Sequence, residues 1–507
     1  MIDYAKLQNG SDVRGIAMPG VEGEVVNLTE EAARTIAAAF VWWLAQRTGK
    51  KPTELTIGVG RDSRLSGPAL QAAALRGITE VGARAADCAM ASTPAMFMST
   101  VLTGSRFSGA VMITASHLPW NRNGLKFFTE AGGLESAEIR ELLQLAATAT
   151  AAPEIPGECF AYDIITPYCA SLREKIIAGV GAGERPLAGL KIAVDAGNGA
   201  GGFFAEKVLA PLGADTSASV FLNPDGHFPN HIPNPENKAA MDSIRGVVLK
   251  SGCDLGLIFD TDVDRAGAVD QIGEELCRNR LIALMSAIVA EEAPGSTIVT
   301  DSVTSDQLGE FIGDRLHCVH HRFKRGYKNV INEAIRLNAE GQQCLLAMET
   351  SGHGALRENY FLDDGAYLSA KLVIRYAKLK KEGRDFADLL QGMREPQEAI
   401  ELRFGLTPAN FKAAGAAVLL ALEEYAQKQP GWCLAPSNYE GLRYAIPAQK
   451  GWLLLRMSLH DPLMPLNIES DCKGGALQIL REITPFLHSQ NVLELSALEK
   501  LLAEKAN

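Results

Sequence analysis

The stretch TIGVGRDSRLSG, Thr56 to Gly67, decides how the rest of the chain is read. An apolar, β-branched run stops in a polar, turn-rich segment, and a potential helix follows, as expected of a buried strand that feeds a turn and then a helix. The same pattern returns at KIAVDAGNGAGG (Lys191 to Gly202) and at TIVTDSVTSDQ (Thr297 to Gln307). The positions of Ile57, Ile192 and Ile298 are 135 and 106 residues apart, which is the size of a domain. Each stretch is followed by a potential helix, so we infer three related α/β units, although identity among them is too low to prove a repeat. Helix-period and strand-like segments alternate throughout, which favours α/β architecture with mainly parallel strands.

Boundaries follow from composition. AATATAAPEIPG (Ala146 to Gly157) is small, polar and proline-bearing and reads as a linker. Further breaks are expected just after AVDQIGEE (Ala268 to Glu275) and near GMREPQE (Gly392 to Glu398). The domains expected are therefore 1–157, 158–273, 274–394 and 395–507. The last is a smaller α+β unit, with a helix around NFKAAGAAVLLALEEYAQK and a strand at GWLLLRMSL.

The 507 residues, with 49 Lys+Arg against 60 Asp+Glu, give a formal charge of −11. That balance argues against the broad basic surface that nucleic acid requires, so an anionic ligand must meet a local basic cluster. The most apolar stretch, Ile36 to Ala45, is ten residues, and a membrane span needs ~20. The N-terminus lacks the basic flank and apolar run of a secretory signal, which makes the cytoplasm the expected location. Nine cysteines without a C-x-x-C pair suit reduced thiols better than a disulfide framework or a zinc site.

The sharpest chemical signal is LGLIFDTDVDRAG, Leu255 to Gly267. Its apolar run ends in Asp260, Asp262 and Asp264, three carboxylates at i, i+2, i+4 on a strand-end loop, where their oxygens can converge on a hard cation. An EF-hand fails by count, since Arg265 stands where glycine is needed and Gln271 where glutamate is needed. Octahedral Mg²⁺ fits better, and a solvated acidic turn is the plain alternative. In VMITASHLPWNRNGLKFF, Val111 to Phe128, a strand-like run delivers Thr114, Ser116 and His117 to a loop, with Lys126 opening the next apolar run. Ser116 is a candidate nucleophile or a helix cap. In LLAMETSGHGAL, Leu345 to Leu356, the residues Glu349, Ser351 and His353 suit a polyhydroxylated ligand, although a histidine there is equally a satisfied loop residue. Arg14, Lys324, Arg325 and Arg456, the last followed by Ser458 and His460, supply candidate anion contacts. GNGAGG (Gly197 to Gly202) has the dinucleotide-binding spacing, but the proline-rich NPDGHFPNHIPNPE follows where an acidic residue closing a βαβ unit is wanted.

In order along the chain, these segments resemble the α-D-phosphohexomutase superfamily, the phosphomannomutase and phosphoglucomutase group. NGSDVRG looks like its N-terminal F-G-T-S/D-G-x-R-G loop, and TASHLPWNRNGLK like its phosphoserine loop, T-x-S-H-N-P with N-G-x-K downstream. DTDVDR looks like the metal loop D-G-D-G-D-R, and METSGH like the sugar loop G-E-M-S-G-H. NPDGHFPNHIPNPE and FLDDGAY (Phe361 to Tyr367) also resemble family segments. Two departures stand out. Thr261 and Val263 replace the two glycines of the metal loop, and RMSLHDP has Leu459 and His460 where the family's phosphate loop usually has Gly or Asn and then Thr.

The resemblance implies a four-domain, heart-shaped protein, three related α/β domains plus the α+β one, each giving a loop to a central cleft. It implies a mutase that interconverts hexose 1-phosphate and hexose 6-phosphate, of mannose or glucose, through a hexose 1,6-bisphosphate. Ser116 would carry the phosphoryl group and face a Mg²⁺ held by Asp260, Asp262 and Asp264. Arg14, His117, Lys126, Arg265 and His353 would form the electrostatic and acid/base set. Glu349 and Ser351 would hold sugar hydroxyls, and Arg456, Ser458 and Lys324 the distal phosphate. Glucose 1,6-bisphosphate would be the activator. The alternatives are a phosphoglucosamine mutase and an inactive phosphosugar-binding relative. No membrane or nucleic-acid partner is expected, and no feature chooses between monomer and homodimer.

Overall fold

The computed structural model describes residues 2–148, 155–436, 438–458 and 461–506. The chain divides into two compact units, one of Met1–Ile288 with Ser351–Leu390, the other of Val289–Thr350 with Gln391–Asn507. Part of the expected linker at Ala146 to Gly157, residues 149–154, lies outside the described residues, as do Leu459 and His460 of the unusual phosphate loop.

In the first unit, strand Thr56–Arg61 lies inside a sheet ordered Gln8–Asn9, Asp12–Ile16, Arg122–Thr129, Gly109–Ile113, Thr56–Arg61, Arg84–Met90, Cys159–Ala161. The last four run parallel, and the strands on the other side are antiparallel. The parallel core follows from the strand–turn–helix pattern, since Thr56–Arg61 leads into helix Gly67–Glu80. The antiparallel edge arises because the loop after Ile113 is only eight residues long, too short for a crossover helix. Helix Glu30–Thr48 covers one face, capped by Thr29 and stopped by Gly49 in the left-handed conformation. The apolar run Ile36 to Ala45 is this helix, with Ile36, Phe40, Val41 and Leu44 packed in the core with Ile57, Val59, Val111 and Phe127.

Register carries this sheet to the site. Arg61 pairs with Ile113, so the turn that begins at Asp62 starts beside the loop that begins at Thr114. Arg14 pairs with Gly124 and Lys126 with Met112, which draws both basic residues to the same end.

The second sheet of this unit is ordered Glu275–Leu276, Ala266–Asp270, Leu255–Phe259, Ile192–Asp195, with only its last pair parallel. The proline-rich loop, residues 223–236, is tethered to it by a buried ion pair in which His231 Nε2 lies 3.0 Å from both carboxylate oxygens of Asp195. Ser243 Oγ donates to the same carboxylate at 2.8 Å. Burial opposes a charge on His231, but the Asp195 carboxylate raises its pKa above 6.5. The histidine therefore binds its proton more tightly folded than unfolded, and the stabilisation is complete below about pH 6.5 and fades as pH rises through the folded-state value. His231→Gln is expected to cost about 3 kcal/mol at pH 6, as for one partner lost from a buried pair. The check is the denaturation midpoint of both proteins against pH; their difference should shrink as pH rises, and one that grew would contradict the assignment.

The second unit holds three parallel strands, ordered Val319–Arg322, Thr297–Thr300, Cys344–Met348, with helix Tyr327–Ala339 packed on them. Its other sheet is antiparallel and six-stranded, ordered Cys433–Leu434, Leu442–Ile446, Gly451–Leu455, Leu463–Ser470, Glu398–Leu406, Leu493–Glu494. Helices Phe411–Ala426 and Gly475–His488 share its core through Val418, Leu422, Ile479 and Ile483. No helix among the described residues is long and apolar enough to cross a membrane.

Candidate active site

Strands Leu255–Phe259 and Ala266–Asp270 form a hairpin, and the turn that joins them carries DTDVDR. Asp260, Asp262 and Asp264 are all buried there, and one ligand oxygen from each lies within 4.8 Å of the others. Three carboxylates that close need cations. Lys126 Nζ supplies one, 3.1 Å from Asp262 Oδ2 and 2.5 Å from Asp264 Oδ2. Burial opposes the Lys126 charge, but these two carboxylates hold its pKa well above the usual lysine range. Burial together with Asp264 and Asp262 pushes Asp260 well above the carboxylate range, whereas Lys126 and His353 overcome burial and hold Asp264 well below it. Asp262 Oδ1, fully buried, has no hydrogen-bond partner among the described residues. An all-oxygen donor set with an orphaned carboxylate oxygen fits a hard divalent cation.

Two local features shape this turn. GNGAGG packs behind it: Ala200 N–H donates to the Thr261 carbonyl at 2.8 Å, and a Cβ at Gly199 would stand 2.7 Å from that oxygen. These glycines serve a close approach of protein backbone to the metal loop. Val263 has φ +69°, the left-handed region that a β-branched residue rarely enters, which explains why glycine serves at this position in the family pattern. Val263→Gly should relieve roughly 1–2 kcal/mol of strain and forfeit a similar or slightly larger burial energy, about 1.5–3 kcal/mol. The expected net change in unfolding free energy is a loss of about 1 kcal/mol, and chemical denaturation of both proteins checks it.

Ser116 lies in the loop after Gly109–Ile113, buried, with φ +49°. Its Oγ donates to Asp260 Oδ2 at 2.9 Å and lies 3.3 Å from His117 Nδ1. Arg265, burial and Arg14 push the His117 pKa down to about 2, so that imidazole is neutral. Arg14 pairs with Asp12 at 2.8 Å and donates to the Thr114 carbonyl at 3.2 Å. Arg265 Nε stands 3.1 Å from His353 Nε2, and its Nη1 3.6 Å from Glu236 of the proline-rich loop. His353 is flanked by Asp363 at 3.4 Å and Asp264 at 3.5 Å. Burial opposes its charge, but those carboxylates raise its pKa to about 10. Ser351 Oγ lies 2.9 Å from His353 Nδ1.

The first unit thus brings together Arg14, Ser116, His117, Lys126, the three aspartates, Arg265, Ser351 and His353. The others belong to the second unit. Glu349, buried, accepts the Gly326 N–H at 2.6 Å. Arg456 Nη1 meets Glu440 Oε1 at 3.1 Å, and Glu440 Oε2 accepts the Arg325 N–H at 2.7 Å and the Ser302 hydroxyl at 2.9 Å. Three donors therefore converge on one carboxylate. Lys324 lies over the Phe323 ring, and Ser458 Oγ accepts the Asp461 N–H at 3.3 Å. Sequence reasoning missed Asp363, Glu236 and Glu440. It also missed Thr93, which bonds Asp262 through both its hydroxyl, at 2.5 Å, and its N–H, at 2.9 Å.

Comparison with known proteins shows the family. Residues 5–152, 167–273 and 278–395 match the phosphoglucomutase/phosphomannomutase α/β/α domains I, II and III. A phosphomannomutase/phosphoglucomutase of Pseudomonas syringae pv. tomato is 29% identical over 446 residues, 87% of this chain and 89% of that protein. A phosphoglucomutase of Neisseria gonorrhoeae is 28% identical over 94% of this chain and 96% of its own. The crystal structure of a phosphoglucomutase/phosphomannomutase family protein from Burkholderia thailandensis superposes with a TM-score of 0.76 at 25% identity, covering 97% of this chain and 98% of that one. The chain belongs to the phosphoglucomutase/phosphomannomutase family and is a hexose-phosphate mutase, an isomerase, built of three α/β/α domains and a C-terminal domain.

Proposed function

We propose that the protein interconverts the 1- and 6-phosphates of glucose or mannose through a phosphoryl group carried on Ser116. The observation that supports this best is Ser116 Oγ, 2.9 Å from Asp260 Oδ2, in a buried cluster whose other charged members are Lys126, Arg265 and His353. Asp260, Asp262 and Asp264 would hold Mg²⁺, which neutralises phosphate charge when bound. The chain's own residues do the rest. Lys126, Arg265, Arg14 and His353 offer cationic donors to phosphoryl oxygens, which is most of what phosphoryl transfer asks of a protein. In the forward half-reaction the Ser116 Oγ–P bond breaks and a bond from phosphorus to a sugar hydroxyl oxygen forms. The hydroxyl proton goes to Ser116 Oγ as the phosphoryl group leaves it, and the neutral His117 imidazole stands beside that oxygen as a hydrogen-bond partner, its Nδ1 3.3 Å away. The bisphosphate then returns its other phosphoryl group to Ser116 Oγ with the same balance.

Glu349 and Ser351 would bond sugar hydroxyls. Arg456, Ser458 and Lys324 would bind the distal phosphate; of these, Arg456 is held against the Glu440 carboxylate, which also accepts from Arg325 and Ser302. The domain boundaries at 157, 273 and 394 belong to this reading, as does a cytoplasmic setting, which suits nine free thiols. Intact mass before and after glucose 1,6-bisphosphate, with peptide mapping, tests the reading. A gain of about 80 Da on Ser116 is expected, and no phosphoryl group there under any hexose bisphosphate would overturn it. A panel of 1-phosphates chooses the sugar, and glucosamine phosphate turning over far faster than glucose or mannose phosphate would reassign it.

A further inference from the structure

Asp62 and Arg64 sit in the turn after strand Thr56–Arg61 and take no part in the chemistry above, yet Asp62 is fully buried and Arg64 is 1% exposed. A buried guanidinium has to satisfy its donors; Arg64 uses both Nη groups on one segment, while its Nε has no hydrogen-bond partner among the described residues. Its Nη1 donates to the carbonyls of Pro119 at 2.7 Å and Arg122 at 3.0 Å, and its Nη2 to those of Ser116 and Leu118, both at 2.5 Å. Asp62 fixes the clamp. Its Oδ1 accepts the Arg64 N–H at 2.9 Å, and its Oδ2 lies 3.5 Å from Arg64 Nε. Asp62 Oδ2 also accepts the Thr114 hydroxyl at 2.7 Å, and Thr114 Oγ1 accepts the Ser116 N–H at 2.9 Å. Both backbone groups of Ser116 are therefore held from this one turn, the carbonyl by Arg64 and the N–H by Asp62 through Thr114.

We infer that Asp62 and Arg64 are positioning residues for phosphoryl transfer, holding the backbone of Ser116 in its left-handed conformation so that Oγ faces Asp260. Only the planar fork of arginine reaches four carbonyls at fixed spacing; lysine keeps the charge with three donors on one nitrogen. The inference rests on the phosphoserine reading.

The test is single-turnover transfer from glucose 1,6-bisphosphate to Ser116, followed by mass, in the parent, Arg64→Lys and Asp62→Asn, alongside KM, kcat and the folded fraction by circular dichroism. Arg64→Lys is expected to slow transfer and kcat about 100-fold, the size of effect that a misplacement near 1 Å produces, with KM within threefold. Asp62→Asn, which keeps the shape and one acceptor, is expected to slow them about tenfold. A purely structural role predicts the opposite split, with less folded protein but an unchanged rate per folded molecule, and that result would overturn the inference. If Arg64→Lys does not fold, Asp62→Asn decides by the same rate. If the parent itself takes no phosphoryl group on Ser116, it is the phosphoserine reading that fails; if the parent does and both variants match it, the positioning inference fails alone.

Discussion

Ser116→Ala is expected to lower turnover of glucose 1-phosphate and mannose 1-phosphate by roughly 10⁴-fold or more, the scale of losing a nucleophile, while the dissociation constant for the sugar phosphate stays within about threefold. The expectation rests on what the substitution leaves behind. The Arg64 and Thr114 contacts reach the backbone of residue 116 and not its side chain, so an alanine is held as the serine is. Lys126, Arg265 and His353 keep their partners among Asp262, Asp264, Glu236 and Asp363. Only the oxygen that forms and breaks the bond to phosphorus is lost. Coupled-assay turnover and equilibrium binding by calorimetry measure the two halves separately. Turnover within tenfold of the parent would end the phosphoserine mechanism.

Asp262→Asn is expected to weaken Mg²⁺ binding by about 100-fold or more, beyond what losing a group that merely orients a ligand costs, and to make turnover depend on Mg²⁺ far above the concentration that saturates the parent. Asp262 is the residue to change because its two oxygens are used differently. Oδ2 is bonded by Thr93 and Lys126, and the buried Oδ1 has no hydrogen-bond partner among the described residues. Asparagine retains an oxygen for Thr93 and removes the charge. Titration calorimetry with MgCl₂ alone, without sugar, reads the effect independently of activity. An unchanged affinity would remove Asp262 from the metal site.

The parts of this protein legible in its sequence are those written within a single segment. Three β-branched runs ending in turns announce the α/β units, and three aspartates at alternate positions announce a cation site because they fall on one short turn. The order of the motifs then narrows the family. What stayed hidden is what folding joins across long separations. Asp62 and Arg64 stand in the very stretch from which the fold was read, where they look like ordinary turn residues; their work is done on carbonyls 52 to 58 positions away. Backbone acceptors leave no trace in residue type, so no spacing rule could have found that clamp. Asp363 was visible only as a family-like FLDDGAY, since its partner His353 is reached by a hairpin, Gly354–Leu356 with Leu362–Asp363, and not by periodicity. Val263 shows the converse. Its departure from glycine was plain in the sequence, and the backbone angle that makes it costly was not.

The first unit is discontinuous: its second piece, Ser351–Leu390, is separated from the first by roughly 60 residues that belong elsewhere. That arrangement sets a timetable during synthesis. At roughly 5–20 residues per second, a chain that has completed Ile288 waits about 3–13 s before His353 is added to meet Arg265, and about 4–15 s before Asp364 is added to accept the Tyr168 hydroxyl at 2.7 Å. Until then Ser116 and the three aspartates exist without the buried His353. A ribosome that stalls inside the intervening segment therefore leaves a chain whose Arg265 and Asp264 never meet His353.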